Sequence, residues 1–177
     1  MEPIKEKGKF TNSETKVPHT GDLGGSVKVH SPGTVANLVC GFDILGMALK
    51  EPYDIMELTL IDEPKVIIHN KDNFNLPTEP EKNVAGVVLL SIIESMDNKI
   101  GFEIIIDKHI KPGSGIGSSA ASAAGAAVAA NHLLGNIFSS DEVVQFAMNG
   151  EKLVSVVYHA DYIAPCILCV VSLIRSI

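Results

Sequence analysis

The chain has 177 residues, 46% hydrophobic and 20% charged, which suits one soluble globular domain with a buried core. A formal charge of -7 argues against a nucleic-acid or anionic-membrane surface, because no basic excess exists to displace counterions from phosphates. Arg175 is the only arginine, so bidentate recognition of a carboxylate or phosphate is nearly unavailable.

Residues 1–26 interleave Lys5, Lys7, Lys9 and Lys16 with Glu2, Glu6, Glu14 and Asp22 and lack an apolar run. That pattern is neither a signal nor a transit peptide and reads as a disordered extension. The domain is expected over 27–177. Val27 to His30 reads as a strand broken by Ser31-Pro32-Gly33, and Thr34 to Leu49 as a strand pair around a functional loop. Asp54 to Leu60 sets Met56, Leu58 and Leu60 against Ile55, Glu57 and Thr59, the period-two signature of a strand. Lys65 to His69 is a further strand. Pro77 and Pro80 mark a loop, after which Asn83 is placed to cap a helix with Val84, Val87, Val88, Ser91, Ile92 and Ser95 at helical spacing.

Phe102 to Asp107 is a strong strand, followed by a glycine loop and an alanine-rich helix running to near Gly135. Ser139 and Glu142 form a capping-box pattern opening another helix towards Asn149. The apolar tail from Tyr162 to Ile174 is shorter than the roughly 20 residues that span a bilayer, and reads as a buried strand or helix. Cys40, Cys166 and Cys169 include a C-x-x-C pair, but its apolar surroundings favour core packing over metal or redox chemistry in a reduced, cytoplasmic setting. His19, His30, His69, His109 and His132 are scattered singly and read as surface or packing residues.

The loop Gly113 to Ser119 places glycines, which admit left-handed backbone and close approach, directly before a helix. Outward amides at a helix N-terminus carry partial positive charge, so a phosphate is the natural guest. A Walker A needs a lysine inside the loop and a Rossmann fingerprint needs G-x-G-x-x-G; neither spacing occurs. The same composition would also serve a close-packed helix entry with no ligand. A flexible linker is disfavoured by the strand before and the helix after.

The stretch PGSGIGSSAA from Pro112 to Ala121 resembles the phosphate-binding loop of the GHMP kinases, with Ile116 where leucine is usual. Upstream, VHSPGTVANLVCGFDILG from Val29 to Gly46 is similar to the N-terminal motif of homoserine kinases, with Val39 replacing a glycine. Gly150-Glu151, His159-Ala160-Asp161 and Ala164-Pro165 resemble that family's later signatures, and Pro77-Thr78 and Lys82-Asn83-Val84 lie between in family order.

The resemblance implies an α+β fold, the GHMP N-terminal domain related to ribosomal protein S5 domain 2, with the C-terminal GHMP domain missing. It implies ATP and Mg²⁺ as cofactors, L-homoserine as partner, and phosphorylation of its hydroxyl in threonine biosynthesis. ATP would be bound by Lys111, Pro112, Gly113, Ser114, Gly115, Ile116, Gly117, Ser118 and Ser119, and the metal by Ser119 and Glu151. Asn37, Asp43, His159 and Asp161 would line the substrate pocket, with Glu151 and Asp161 as the catalytic carboxylates. Departures fall near the end: Tyr162 stands where the family has Asn, Cys169-Val170 where it has Gly-Gly, and Val156 where glycine is usual. The arginines expected to hold the substrate carboxylate are absent as well. A nucleotide-binding fragment without activity is therefore an alternative reading. The apolar C-terminal stretch predicts self-association, a homodimer among its forms.

Overall fold

The computed structural model describes residues 25–37, 45–97, 100–153, 160–168 and 171–173. Expectations placed on residues 1–24, Cys40, Asp43, Val156, His159, Cys169, Val170 and Arg175 lie outside the described residues. Five strands form one mixed sheet: β1 (Ser26–Ala36), β2 (Leu45–Ile61), β3 (Val66–Asn70), β4 (Gly101–Asp107) and β5 (Val171–Leu173). The order is β1-β2-β4-β3, with β5 beside the first residues of β2. All pairings are antiparallel except that of β3 with β4.

The period-two pattern of β2 appears as expected, with Met56 and Leu58 fully buried. They meet Phe102, Ile104 and Ile106 of β4 and Val66 and Ile68 of β3 in one core. Lys28, Glu57, Glu103 and His69 take the opposite, solvent face. The expected break at Ser31-Pro32-Gly33 does not occur, since β1 continues to Ala36. Its register shifts instead: Pro32 faces Tyr53 and Thr34 faces Ala48, so residues 49–52 of β2 bulge opposite Gly33. An edge strand at a bulge is where a proline without an amide proton is accommodated.

Among the described residues there are four α-helices, α1 (Val84–Ser95), α2 (Ser118–Leu133), α3 (Ser140–Glu151) and α4 (Ala160–Leu168); α1, α2 and α4 pack on the buried face of the sheet, and α3 packs on those three helices. Asn83 caps α1 as its position suggests, its side-chain oxygen accepting from the amides of Ala85 and Gly86. The buried face of α1 is Ala85, Val88, Leu89, Ile92 and Ile93. This is rotated from the expected stripe: Leu89 and Ile93 are buried, and Ser91 and Ser95 lie off that face with their hydroxyls donating back to the carbonyls of Val88 and Ile92.

Twelve of the sixteen residues of α2 are buried, most of them alanine, which marks a helix enclosed on all sides. Its small side chains allow close approach: a Cβ on Gly125 would lie 2.7 Å from Met56 Sδ and 3.0 Å from Ser31 Cβ. The capping box of α3 is complete, with Glu142 accepting from Ser139 N at 2.8 Å and donating its amide to Ser139 Oγ at 3.4 Å. The apolar tail, read as a strand or a helix, contains both: most of α4 and then β5. Cys166 packs in the core, its Sγ 3.3 Å from Ser31 Oγ and from the Pro32 carbonyl. No helix among the described residues is long and apolar enough to cross a membrane.

Candidate functional site

Between β4 and α2 the chain forms the glycine loop. Gly113, Gly115 and Gly117 all take left-handed backbone, with φ of 75°, 79° and 68°. A Cβ on Gly113 or Gly115 would meet nothing within 4 Å, so conformation alone calls for glycine there and the backbone faces open space. Gly117, the N-cap of α2, is different. A Cβ there would collide with Thr34 Oγ1 of β1 and lie 3.1 Å from Tyr162 Cδ1 of α4. The loop is also tied down by the Thr34 amide, which donates to the Ile116 carbonyl at 3.1 Å.

Beneath the loop lies a buried ion pair. Lys108 Nζ, almost fully enclosed, donates to Asp54 Oδ2 at 2.5 Å, Ser122 Oγ at 2.8 Å and the Ser118 carbonyl at 3.1 Å. The other Asp54 oxygen accepts the amides of His109 and Ile110 at 2.8 and 2.9 Å. Every strong donor and acceptor of the pair is matched, the condition under which buried charge is tolerated. The network joins β2, the end of β4 and the first turn of α2, fixing where that helix begins.

A cleft of about 690 Å³ opens over the loop. Its wall includes Pro112, Gly113, Gly115, Gly117, Ser118 and Ser119 from the loop and first turn of α2, with Asn37, Glu151 and Tyr162 from three other elements. Asn37 follows β1 directly, in left-handed backbone, and Glu151, which ends α3, is 4% exposed. Six of the nine residues expected to bind ATP, Ser119 and Ser118 among them, therefore share one cleft with Glu151 and Asn37. Ser118 lines it too, yet its hydroxyl donates to the Ile110 carbonyl at 2.9 Å and serves the helix entry.

Lys111, Ser114 and Ile116 are not among the lining residues. Ser114 donates its amide to the Lys111 carbonyl in a turn, and Ile116 turns inward onto Ile110, Ala121, Ala124 and Cys166. Asp161, 2% exposed at the start of α4, also lies outside the lining, its carbonyl placed where a Cβ on Gly46 would collide with it.

Lys108, Lys82, Asn83 and Pro77 line the cleft without having been singled out for it. Lys82 is an exposed wall residue paired with Glu79 at 3.3 Å. The Glu79 carboxyl is held below its ordinary range by its own backbone N–H first, and then by Lys82. The first residues of two helices, Val84 of α1 and Ser118 of α2, border the same space. Asn83 already takes the Ala85 and Gly86 amides of α1, whereas α2 has no side-chain cap, so it is the first turn of α2 that favours an anionic group in the cleft. The oxygen donors of Ser119 and Glu151 give the same cleft a hard-ligand edge suited to a divalent cation. Of the histidines read as surface or packing residues, the described ones, His30, His69, His109 and His132, are exposed; His30 stacks on Tyr53, and His69 meets Glu103 at 2.8 Å.

Residues 83–169 match the model of the GHMP kinases N terminal domain. The chain is 43% identical over 143 residues to a homoserine kinase of Methanocella arvoryzae, covering 81% of this chain and 46% of that protein. The crystal structure of a homoserine kinase from Cytophaga hutchinsonii superposes with a TM-score of 0.81 at 39% identity, covering 92% of this chain and 51% of that one. A Methanococcus jannaschii mevalonate kinase shares the fold, with a TM-score of 0.63 at 17% identity over 82% of this chain and 52% of that one. The chain spans about half the length of the curated relatives it matches.

Proposed function

Since this chain belongs to the GHMP kinases, we propose that its cleft holds the phosphates of ATP and that the chain is the nucleotide-binding part of a homoserine kinase. The reaction would phosphorylate the L-homoserine hydroxyl to O-phospho-L-homoserine, in threonine biosynthesis. One observation carries the reading above others: three left-handed glycines lead directly into the N-terminus of α2, on a cleft shared with Ser119 and Glu151.

The residues divide the work by position. Amides of the Gly113 to Ser119 segment cradle phosphate oxygens, while Lys108 holds the first turn of α2 in register with the strands. The hydroxyl of Ser119 and the carboxylate of Glu151 hold Mg²⁺. That ion, when bound, neutralises charge on the phosphates. Asn37, Asp43, His159 and Asp161 are assigned to the homoserine side, where carboxylates suit an ammonium group. Such transfer requires alignment of the hydroxyl with the γ-phosphorus more than a strong base. Lys111, Ser114 and Ile116 are assigned to shaping the loop. A cytoplasmic protein that engages neither nucleic acid nor membrane, and forms a homodimer, completes the proposal.

A coupled ADP-release assay with ATP, Mg²⁺ and L-homoserine tests it. Turnover that depends on homoserine and disappears in Glu151→Ala is expected. A second reading, nucleotide binding without transfer, is favoured by Tyr162, whose ring lines the cleft where the family pattern carries Asn. Nucleotide binding with no homoserine-dependent turnover would select that reading.

A further inference from the structure

Glycine takes positive and negative φ with similar ease, so nothing intrinsic to Gly117 selects its φ of 68°. Its neighbours must do so. One wall is Thr34, fully buried on β1 and fixed by strand pairing to Ala48. Its hydroxyl makes no hydrogen bond in the structure, so it meets Gly117 as a packing surface. The second wall is Tyr162 of α4, whose ring packs partly into the main core and whose Cδ1 lies 3.1 Å from where a Cβ on Gly117 would be. At Gly113 and Gly115 no such walls exist.

We infer that Tyr162 is a positioning residue for the phosphate loop: its ring, packed with Thr34 beside Gly117, helps to hold that glycine left-handed and thereby aims the first amides of α2 into the cleft. The Tyr162 atom nearest a Cβ on Gly117 is the ring carbon Cδ1, so the contact is one made by the ring. The link to ligand affinity rests on the nucleotide reading above, while the clamp itself does not.

Two amides report the clamped end. Ala121 N donates to the Gly117 carbonyl at 2.8 Å, and Thr34 N to the Ile116 carbonyl at 3.1 Å. Phe102 N, bonded to the Lys65 carbonyl at 2.9 Å, serves as a distant control in the sheet. Hydrogen exchange and MgADP titration are to be measured on the whole chain, on Tyr162→Phe, and on Tyr162→Leu, which keeps apolar volume but removes the ring. Tyr162→Leu should speed exchange at Ala121 and Thr34 by about tenfold or more while Phe102 changes little. It should also weaken MgADP by about tenfold, and Tyr162→Phe should stay within about twofold of the parent on both readouts.

Unchanged exchange at Ala121 and Thr34 in Tyr162→Leu would overturn the inference, whatever the nucleotide does. Equal acceleration at Phe102 would also overturn it, by marking a general loss of stability. Tyr162→Phe binding as weakly as Tyr162→Leu would do the same, since the hydroxyl would then be a direct ligand. If the parent chain fails to bind MgADP, the nucleotide reading falls and the exchange data decide the clamp by themselves.

Discussion

The two ends of the glycine loop use the same residue type for opposite reasons. Gly113 and Gly115 have empty space where a side chain would be, whereas Gly117 is enclosed by Thr34 and Tyr162. The open end offers backbone to a ligand. The enclosed end sits above the Lys108–Asp54 pair and fixes the direction of α2. Substitutions at the enclosed end should therefore register first in stability, and those at the open end first in ligand binding.

The largest effect is expected at Asp54→Ala, which strands Lys108 without its counterion in the interior. A loss of about 3–5 kcal/mol, measured by urea denaturation, follows from removing one partner of a buried pair. A loss below about 1 kcal/mol would show that the strut does not anchor the loop. Gly117→Ala comes next: the left-handed conformation penalises alanine by about 1–2 kcal/mol, and the collision with Thr34 adds to it. Gly115→Ala shares the conformational penalty of about 1–2 kcal/mol without the collision, so it should cost less than Gly117→Ala. Equal stability losses at Gly115 and Gly117 would erase the distinction between the ends.

Much of this contrast could be read in the sequence, and part of it was overlooked. The strand alternation, the Asn83 cap and the Ser139–Glu142 box each depend on neighbours in the chain and emerged as expected. The buried pair follows the same alternation: Phe102, Ile104 and Ile106 face inward, which puts Lys108 inward as well, and Met56 and Leu58 do the same for Asp54. A lysine and an aspartate at apolar positions imply partners. That they partner each other is a pairing between strands far apart in sequence, which periodicity along one strand does not encode.

Residue type alone did not decide the outcome in two places. Ser118 has the residue type for a ligand contact but spends its hydroxyl on the Ile110 carbonyl. Ser31-Pro32-Gly33 has breaker composition, yet the sheet absorbs it as a register shift at an edge. The convergence of Asn37, Ser119 and Glu151 on one cleft was legible only through family motifs, since three separate elements supply them.

The smallest effect is expected remote from both ends, at the capping box. Hydrogen bonds from the Ser139 side chain first, and its backbone N–H second, hold the Glu142 carboxyl below its ordinary range. A carboxyl whose pKa is lower when folded contributes stability above its unfolded pKa, lost as pH falls through the folded value. Glu142→Ala should thus shift the thermal midpoint slightly at neutral pH, with the difference shrinking under acid conditions. A difference that grows on acidification would reverse that sign. The variant should leave nucleotide affinity unchanged, as a baseline for the loop variants.

Calorimetric titration of MgATP into the parent chain and into Gly115→Val tests the central claim, that the open end of the loop is a phosphate cradle. Saturable binding by the parent and none by the variant, with matching far-UV circular dichroism, is the expected result. The claim is contradicted if the parent does not bind, or if a folded Gly115→Val binds as tightly as the parent.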